Sequence, residues 1–269
     1  MADEIITQAE RSGLGKADFY YWRYQYELGR DIIVPYFQKN ICEIKDKKIA
    51  EIGSAEGGVL HSFVRAGASY GLGTDIAENR LESGRKISAT TQLNVEFTSH
   101  NILTDEIPQK WQNYFDIVIL RDVIEHLPEP ELAILKIREL LRDEGFLYVT
   151  FPPYRSPYGG HQHTLAGNFL TKLPYIHLFP DFIFRKMISS GRQIDQVETL
   201  RLRKIRLSSK KFKECVYSAG YKIAKEDYFL LRPVFKKKFG LPTVKIGAIG
   251  KIPFLGDFLS LECMYVLKK

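Results

Sequence analysis

The chain has 269 residues, 45% hydrophobic, 13% aromatic and 26% charged, which excludes a disordered or low-complexity protein. It has no run of about 18 uncharged apolar residues, so no transmembrane helix is expected. The net charge of +7 is one-sided: residues 1–150 hold 17 basic and 24 acidic side chains (−7), residues 151–269 hold 22 and 8 (+14). That asymmetry fits either an anionic partner or a solvated basic face.

The opening MADEIITQAERSG has no apolar stretch of the secretory kind, and residues 1–16 read as polar and loose. Residues 17–40 read as one or two helices crowded with Tyr20, Tyr21, Trp22, Tyr24 and Tyr26. Then an alternation begins. KKIAEIG (47–53) is a short apolar strand ending at glycine, and GVLHSFVRAG (58–67) has helical spacing. SYGLGTD (69–75), ENRLESGRKISAT (78–90) and NVEFTSH (94–100) repeat the pattern as strand, helix and strand. FDIVIL (115–120) is a continuous apolar run, the mark of a strand buried on both faces. PELAILKIRELLRDEG (130–145) reads as an amphipathic helix closed by glycine, and GFLYVTFP (145–152) as the fifth strand. Strands and helices alternating at this interval mean βαβ units and a parallel sheet.

Residues 153–207 break the rhythm and read as an insertion. SSKKFKECVYSAG (208–220) is a helix capped by Ser208 or Ser209 and ended by Gly220. YKIAKEDYFLL (221–231) and FLSLECMYVLKK (258–269) read as two strands. One domain over 1–269 is expected: a helical cap over 1–44, a core over 45–152, the insertion over 153–207 and the rest of the sheet over 208–269. Cys42, Cys215 and Cys263 form no C-x-x-C pair and are odd in number. They argue against a disulfide framework or structural zinc and fit a reducing, cytoplasmic compartment.

Three segments carry chemistry. In Glu51-Ile52-Gly53-Ser54-Ala55-Glu56-Gly57-Gly58 an apolar strand runs into a glycine turn that opens a helix. Glu51 places a carboxylate at the crevice above the sheet, where it suits a cationic ligand better than a pyrophosphate. Asp75, ending the second strand 22 residues after Gly53, can accept the hydroxyls of a ribose or cap the next helix. The third segment is FDIVILRDVIEHLP (115–128).

With those three segments in place, the chain resembles the class I S-adenosylmethionine-dependent methyltransferases, closest to the group with D-V-I-E-H-L that includes quinone-biosynthesis enzymes. The resemblance covers residues 45–152 by motif and much of 208–269 by strand pattern. It implies a Rossmann-like α/β fold, a seven-stranded sheet in order 3-2-1-4-5-7-6 with strand seven antiparallel and helices on both faces. It implies S-adenosylmethionine as cofactor and roles by position. Glu51, Gly53, Ala55 and Gly57 would line its methionine part, Asp75 would take the ribose, and Ile76, Asn101 and Ile102 would pack around the adenine. The backbone of Leu120 and Arg121 would face the methionine amino group. Two positions depart from the pattern. Ala55 replaces a glycine, which an ordinary backbone dihedral would tolerate. Asn101 replaces an aspartate and can still accept a hydrogen bond from the adenine amino group.

Phe151-Pro152-Pro153-Tyr154 imitates a DNA adenine methyltransferase motif. Its first residue cannot accept a hydrogen bond, however, and it follows strand five rather than strand four. For a proton acceptor the candidates are His126, His161 and His163. The last two lie in PYGGHQH (157–163), just past the fifth strand and over the strand ends. No third metal ligand is evident beside His161 and His163, so no metal is expected. The aromatic stretch 173–184 could wall an apolar pocket or lie on a membrane. The expected acceptor is a small or lipid-like metabolite, methylated on oxygen, with peripheral membrane contact open. A nucleic acid or protein acceptor ranks second, since no recognition module is visible. A non-catalytic cofactor-binding protein ranks third.

Overall fold

Apolar runs bounded by turns become the strands of one sheet. The structure, a computed structural model, describes residues 3–165, 169–252 and 254–269. The first five strands are β1 (Lys48–Ile52), β2 (Tyr70–Asp75), β3 (Val95–Ser99), β4 (Phe115–Arg121) and β5 (Leu141–Phe151). They are all parallel, in the order β3-β2-β1-β4-β5. From Phe115 to Leu120, β4 is buried throughout, because helices cover both faces of the sheet. One face packs Val118, Leu120, Leu147 and Val149 against α6 (Pro130–Leu140) and α9 (Ser209–Ser218). The other packs Ile49, Ile117, Ile119 and Tyr148 against α3 (Val34–Asn40), α4 (Gly58–Arg65) and α5 (Glu78–Thr91).

The sheet then continues with β8 (Glu262–Lys268), antiparallel to both β5 and β6 (Lys222–Leu231). The predicted order holds, with β8 in the place of strand seven. One strand was not predicted: β7 (Val244–Lys245) extends the β6 edge and makes the sheet eight-stranded. Two residues paired on one side carry too little pattern to be read from sequence.

Three other expectations are corrected. Residues 4–9 are not loose: α1 (Glu4–Ala9) is capped by Asp3, whose Oδ1 accepts from Ile5 N at 3.0 Å, and it buries Ile5, Ile6 and Ala9 beside Trp22, Tyr26 and Ile87. Helix α6 stops at Leu140, five residues before Gly145. The left-handed residue there is Glu144 (φ 62°), whereas Gly145 lets the Arg142 and Asp116 carbonyls come close, at 2.9 and 3.2 Å from where its Cβ would be. The last strand begins at Glu262, because Leu255–Leu259 form the short helix α11. Helix α9 ends as expected, with Ser208 Oγ accepting from Lys211 N and Gly220 at φ 76°.

Residues 17–40 form α2 (Lys16–Leu28), a wide π-helical turn (Gly29–Ile33) and α3. The insertion folds into α7 (Asp181–Ile188) and α8 (Gln193–Ile205) with short turns between; its residues 166–168 lie outside the described residues. The loop after β6 carries α10 (Pro233–Phe239). Among the described residues no helix is long and apolar enough to cross a membrane.

Candidate active site

The strand order reverses at β1, which lies between β2 and β4, so a crevice opens above the carboxyl ends of these strands. Glu51 is near the tip of β1, buried, with Oε2 accepting from Leu60 N at 3.2 Å. Burial pushes its carboxyl up to about 7, against the pull of Arg121 and of that N–H. The turn that follows is built on left-handed residues. Gly53 and Gly57 are both at φ 69°, and a Cβ there would lie 2.4 Å from Val123 and 2.5 Å from Phe97.

Ala55 is also left-handed, at φ 50°, so the condition for tolerating its methyl, an ordinary dihedral, is not met. What holds it there is Asp75. One carboxylate oxygen accepts from Ala55 N at 2.9 Å, the other from Ala77 N at 3.0 Å. Asp75 thus ties the turn to the end of β2, and each oxygen keeps a further lone pair. Ile76 is 72% exposed beside it, an apolar face of the kind an adenine would cover. Asn101 spends its side-chain oxygen on Leu103 N at 3.0 Å, and Ile102 is buried in the core beneath the sheet. Leu120 is fully buried, and Arg121 reaches up to donate to Gln25 Oε1 at 2.6 Å.

That last bond brings α2 over the crevice. The helix divides its aromatics by face: Trp22 and Tyr26 stack in the core at 5.1 Å, while Tyr20 and Tyr21 are exposed. Tyr24 lies under Lys238 at 4.3 Å, and Tyr21 beside Arg80, which clamps Glu56 of the turn through two bonds of 2.8 and 2.7 Å. The helix therefore presents a core face and an exposed aromatic face.

At the tip of β4 the D-V-I-E-H-L segment turns through Asp122 (φ 53°). Arg232, at the end of β6, donates to Asp122 at 2.6 Å and to Glu262 at 2.7 Å. Burial alone would raise Asp122, but Arg232 and Arg121 hold it below the ordinary carboxylate range. Glu125 is buried, and among the described residues neither of its carboxylate oxygens is hydrogen-bonded. Burial pushes it up to about 8.

His126 and His161 flank it, their rings 4.9 Å apart and their Nε2 atoms 3.6 and 3.9 Å from Glu125 Oε1. Glu198, from α8, bonds His126 Nδ1; although burial pulls His126 down, Glu198 and Glu125 raise it above an ordinary histidine. Burial and the neighbouring His126 lower His161 to about 3, so it is neutral. The expectation that no third ligand stands near the His-x-His pair is corrected. Glu125, His126 and His161 each offer a ligand atom, all within 4.8 Å of one another, a set that could hold a metal ion. His163 is exposed, edge-on to Tyr158 at 5.2 Å and to His161 at 6.2 Å, and is not part of that set. Phe151 is core, 5.0 Å from Phe212, as its apolar character required.

Sequence reasoning missed Arg232, Asp122, Glu198 and Glu262. Only Asp122 had a signal, its place in the motif; the others reach the site from elements far away in the chain.

A sequence profile for a methyltransferase domain matches residues 50–147. A ubiquinone biosynthesis O-methyltransferase of Neisseria meningitidis is 24% identical over 108 residues, 40% of this chain and 44% of that protein. The enzyme of the same name from Hydrogenovibrio crunogenus is 28% identical over 112 residues, 42% of this chain and 45% of that protein. The chain thus matches about half the length of these relatives. A crystal structure of an S-adenosylmethionine-dependent methyltransferase from Mesorhizobium loti superposes with a TM-score of 0.56 at 14% identity, covering 87% of this chain and 96% of that one. At that identity the likeness is one of fold.

Proposed function

We propose, for a chain that belongs to the class I S-adenosylmethionine-dependent methyltransferases through its residues 50–147, that it transfers a methyl group to a hydroxyl of a small or lipid-like acceptor. The observation that carries this reading is the pair of carboxylates, Glu51 and Asp75, on either side of the left-handed turn 53–57 at the strand reversal.

The residues present fit the cofactor. Glu51, buried and short of counter-charge, suits the cationic amino acid end. The free lone pairs of Asp75 suit a ribose diol, and exposed Ile76 suits an adenine face. When bound, S-adenosylmethionine supplies an electrophilic methyl carbon. The chain's part is alignment and proton removal. Helix α2 is tied to the tip of β4 at the crevice by the bond between Gln25 and Arg121. Neutral His161 can accept the hydroxyl proton at Nε2, which lies 3.9 Å from the buried Glu125 carboxyl. The ubiquinone enzymes it resembles support a lipid-like, oxygen-bearing acceptor.

Isothermal calorimetry tests the cofactor site. Asp75→Ala weakens S-adenosylmethionine binding by roughly tenfold or more, the weight of one good polar contact. Unchanged affinity in a folded variant would sink the placement. Incubation with methyl-labelled cofactor and a metabolite extract yields a labelled small molecule; label confined to RNA, DNA or protein would overturn the acceptor class.

A further inference from the structure

A second cavity, of about 440 Å³, lies away from the crevice, where the insertion meets the rest of the fold. Its wall is formed by the loop after β5, the carboxyl end of α8, the start of α9 and the segment before α11. Four basic side chains line it, Arg155, Arg203, Arg206 and Lys210, against one acid, Asp257. Asp257 is turned into the protein, where both its oxygens accept from Ser209 N at 3.1 and 3.2 Å. Arg203 is committed to Asp181 at 3.1 Å and to the Phe179 carbonyl at 2.7 Å.

Among the described residues neither Arg155 nor Arg206 bonds a carboxylate. Arg155 lies on the Phe254 ring at 5.0 Å and feels buried Asp257, Arg206 lies over Tyr154 at 5.9 Å and donates Nε–H to the Arg203 carbonyl at 2.8 Å, and Lys210 pairs with Glu214 at 3.9 Å. Like charges gathered in a concave wall repel one another and focus a positive potential there, which an anion relieves.

One further feature points the same way. Arg206 follows α8 at φ 47° and ψ 48°, a left-handed position that normally takes glycine. An arginine held there costs about 1 kcal/mol, and such strain gathers where a side chain has a task.

We propose that this cavity binds a phosphate group, whose oxygens engage Arg155, Arg206 and Lys210. Two sources carry that chemistry, a soluble phosphate ester and a phospholipid headgroup. Phe182 and Phe254, 75% and 59% exposed nearby, give the second source apolar side chains to enter a bilayer surface.

The test uses the full chain, titrated with inorganic phosphate in a chloride buffer and sedimented with phosphatidylcholine vesicles with and without phosphatidylglycerol. The key variant is Arg206→Gly, which removes a cation while relieving its backbone, so it folds at least as well as the parent. Arg155→Glu is its partner. Phosphate is expected to raise the melting temperature, and each variant to weaken that response at least tenfold. Vesicle binding that needs phosphatidylglycerol and is lost in Arg206→Gly identifies the headgroup as source; a phosphate response without vesicle binding identifies a soluble ester. No response to either probe, or a response that Arg206→Gly and Arg155→Glu leave unchanged, overturns the site. S-adenosylmethionine binding is unaffected in every case, so this test stands apart from that of the methyl transfer.

Discussion

Ala55 and Glu125 show what a single position costs at this crevice. Ala55 holds a left-handed conformation that its methyl disfavours by about 1 kcal/mol, kept in place by the bond from its N–H to Asp75. Ala55→Gly should therefore raise the melting temperature by about 2–4 °C in calorimetry, the usual shift per kcal/mol for a domain of this size. Glu125 carries the opposite kind of cost. Its folded carboxyl is pushed up to about 8 by burial, above its unfolded value. The stability it contributes is thus fully present below the unfolded carboxyl range and is lost as pH rises through 8. Glu125→Gln keeps the neutral shape at every pH. Its melting temperature should match the parent's at pH 5 and exceed it by several degrees at pH 9, read by thermal denaturation in parallel buffers. The motifs contain both residues, but only Ala55 was expected to line the site. The dihedral of one and the missing partners of the other arise from chain surroundings that no local pattern records.

The close crossing of α2 over α4 belongs to the scale of elements. A Cβ on Gly58 would lie 2.5 Å from the Trp22 carbonyl oxygen and 2.6 Å from Gln25 Cβ. Gly58→Ala should force the helices apart, costing about 1–3 kcal/mol in urea denaturation. Because Gln25 bonds Arg121, cofactor affinity should fall with it. The strands that position the crevice were legible because apolar residues paired on both sides leave long uninterrupted runs, as from Phe115 to Leu120. Elements stabilised by few contacts were not. Helix α1 rests on three small buried side chains and an aspartate cap, and β7 on two residues paired with β6 alone. The boundary between α6 and β5 was misplaced because Gly145 is needed for close approach and not for helix termination, two uses of glycine that look alike in sequence.

Across the whole molecule, Arg232 joins what the chain separates. It binds Asp122 from the tip of β4 and Glu262 from the start of β8, three elements fixed by one guanidinium. Arg232→Met leaves two carboxylates buried without their cation. It should destabilise the protein by about 3–5 kcal/mol in denaturant titration, and by less at acid pH, where burial already favours the protonated form of Glu262. The sequence showed that positive charge gathers beyond residue 150; only the fold shows where it gathers, in the wall shared by Arg155, Arg206 and Lys210. Of the site, the half built from contiguous motif was readable in advance, and the half assembled from α8, β6 and β8 was not, since sequence distance hides such meetings.

The place of β8 between β5 and β6 has a consequence for how the protein is made. Both neighbours present unpaired backbone edges until residues 262–268 have left the ribosome, so a parallel half-sheet must wait, open on one side, for a strand that arrives late. During that interval the β5 edge, Phe146–Phe151, is the surface on which a chaperone or another nascent chain could compete with the protein's own closing strand.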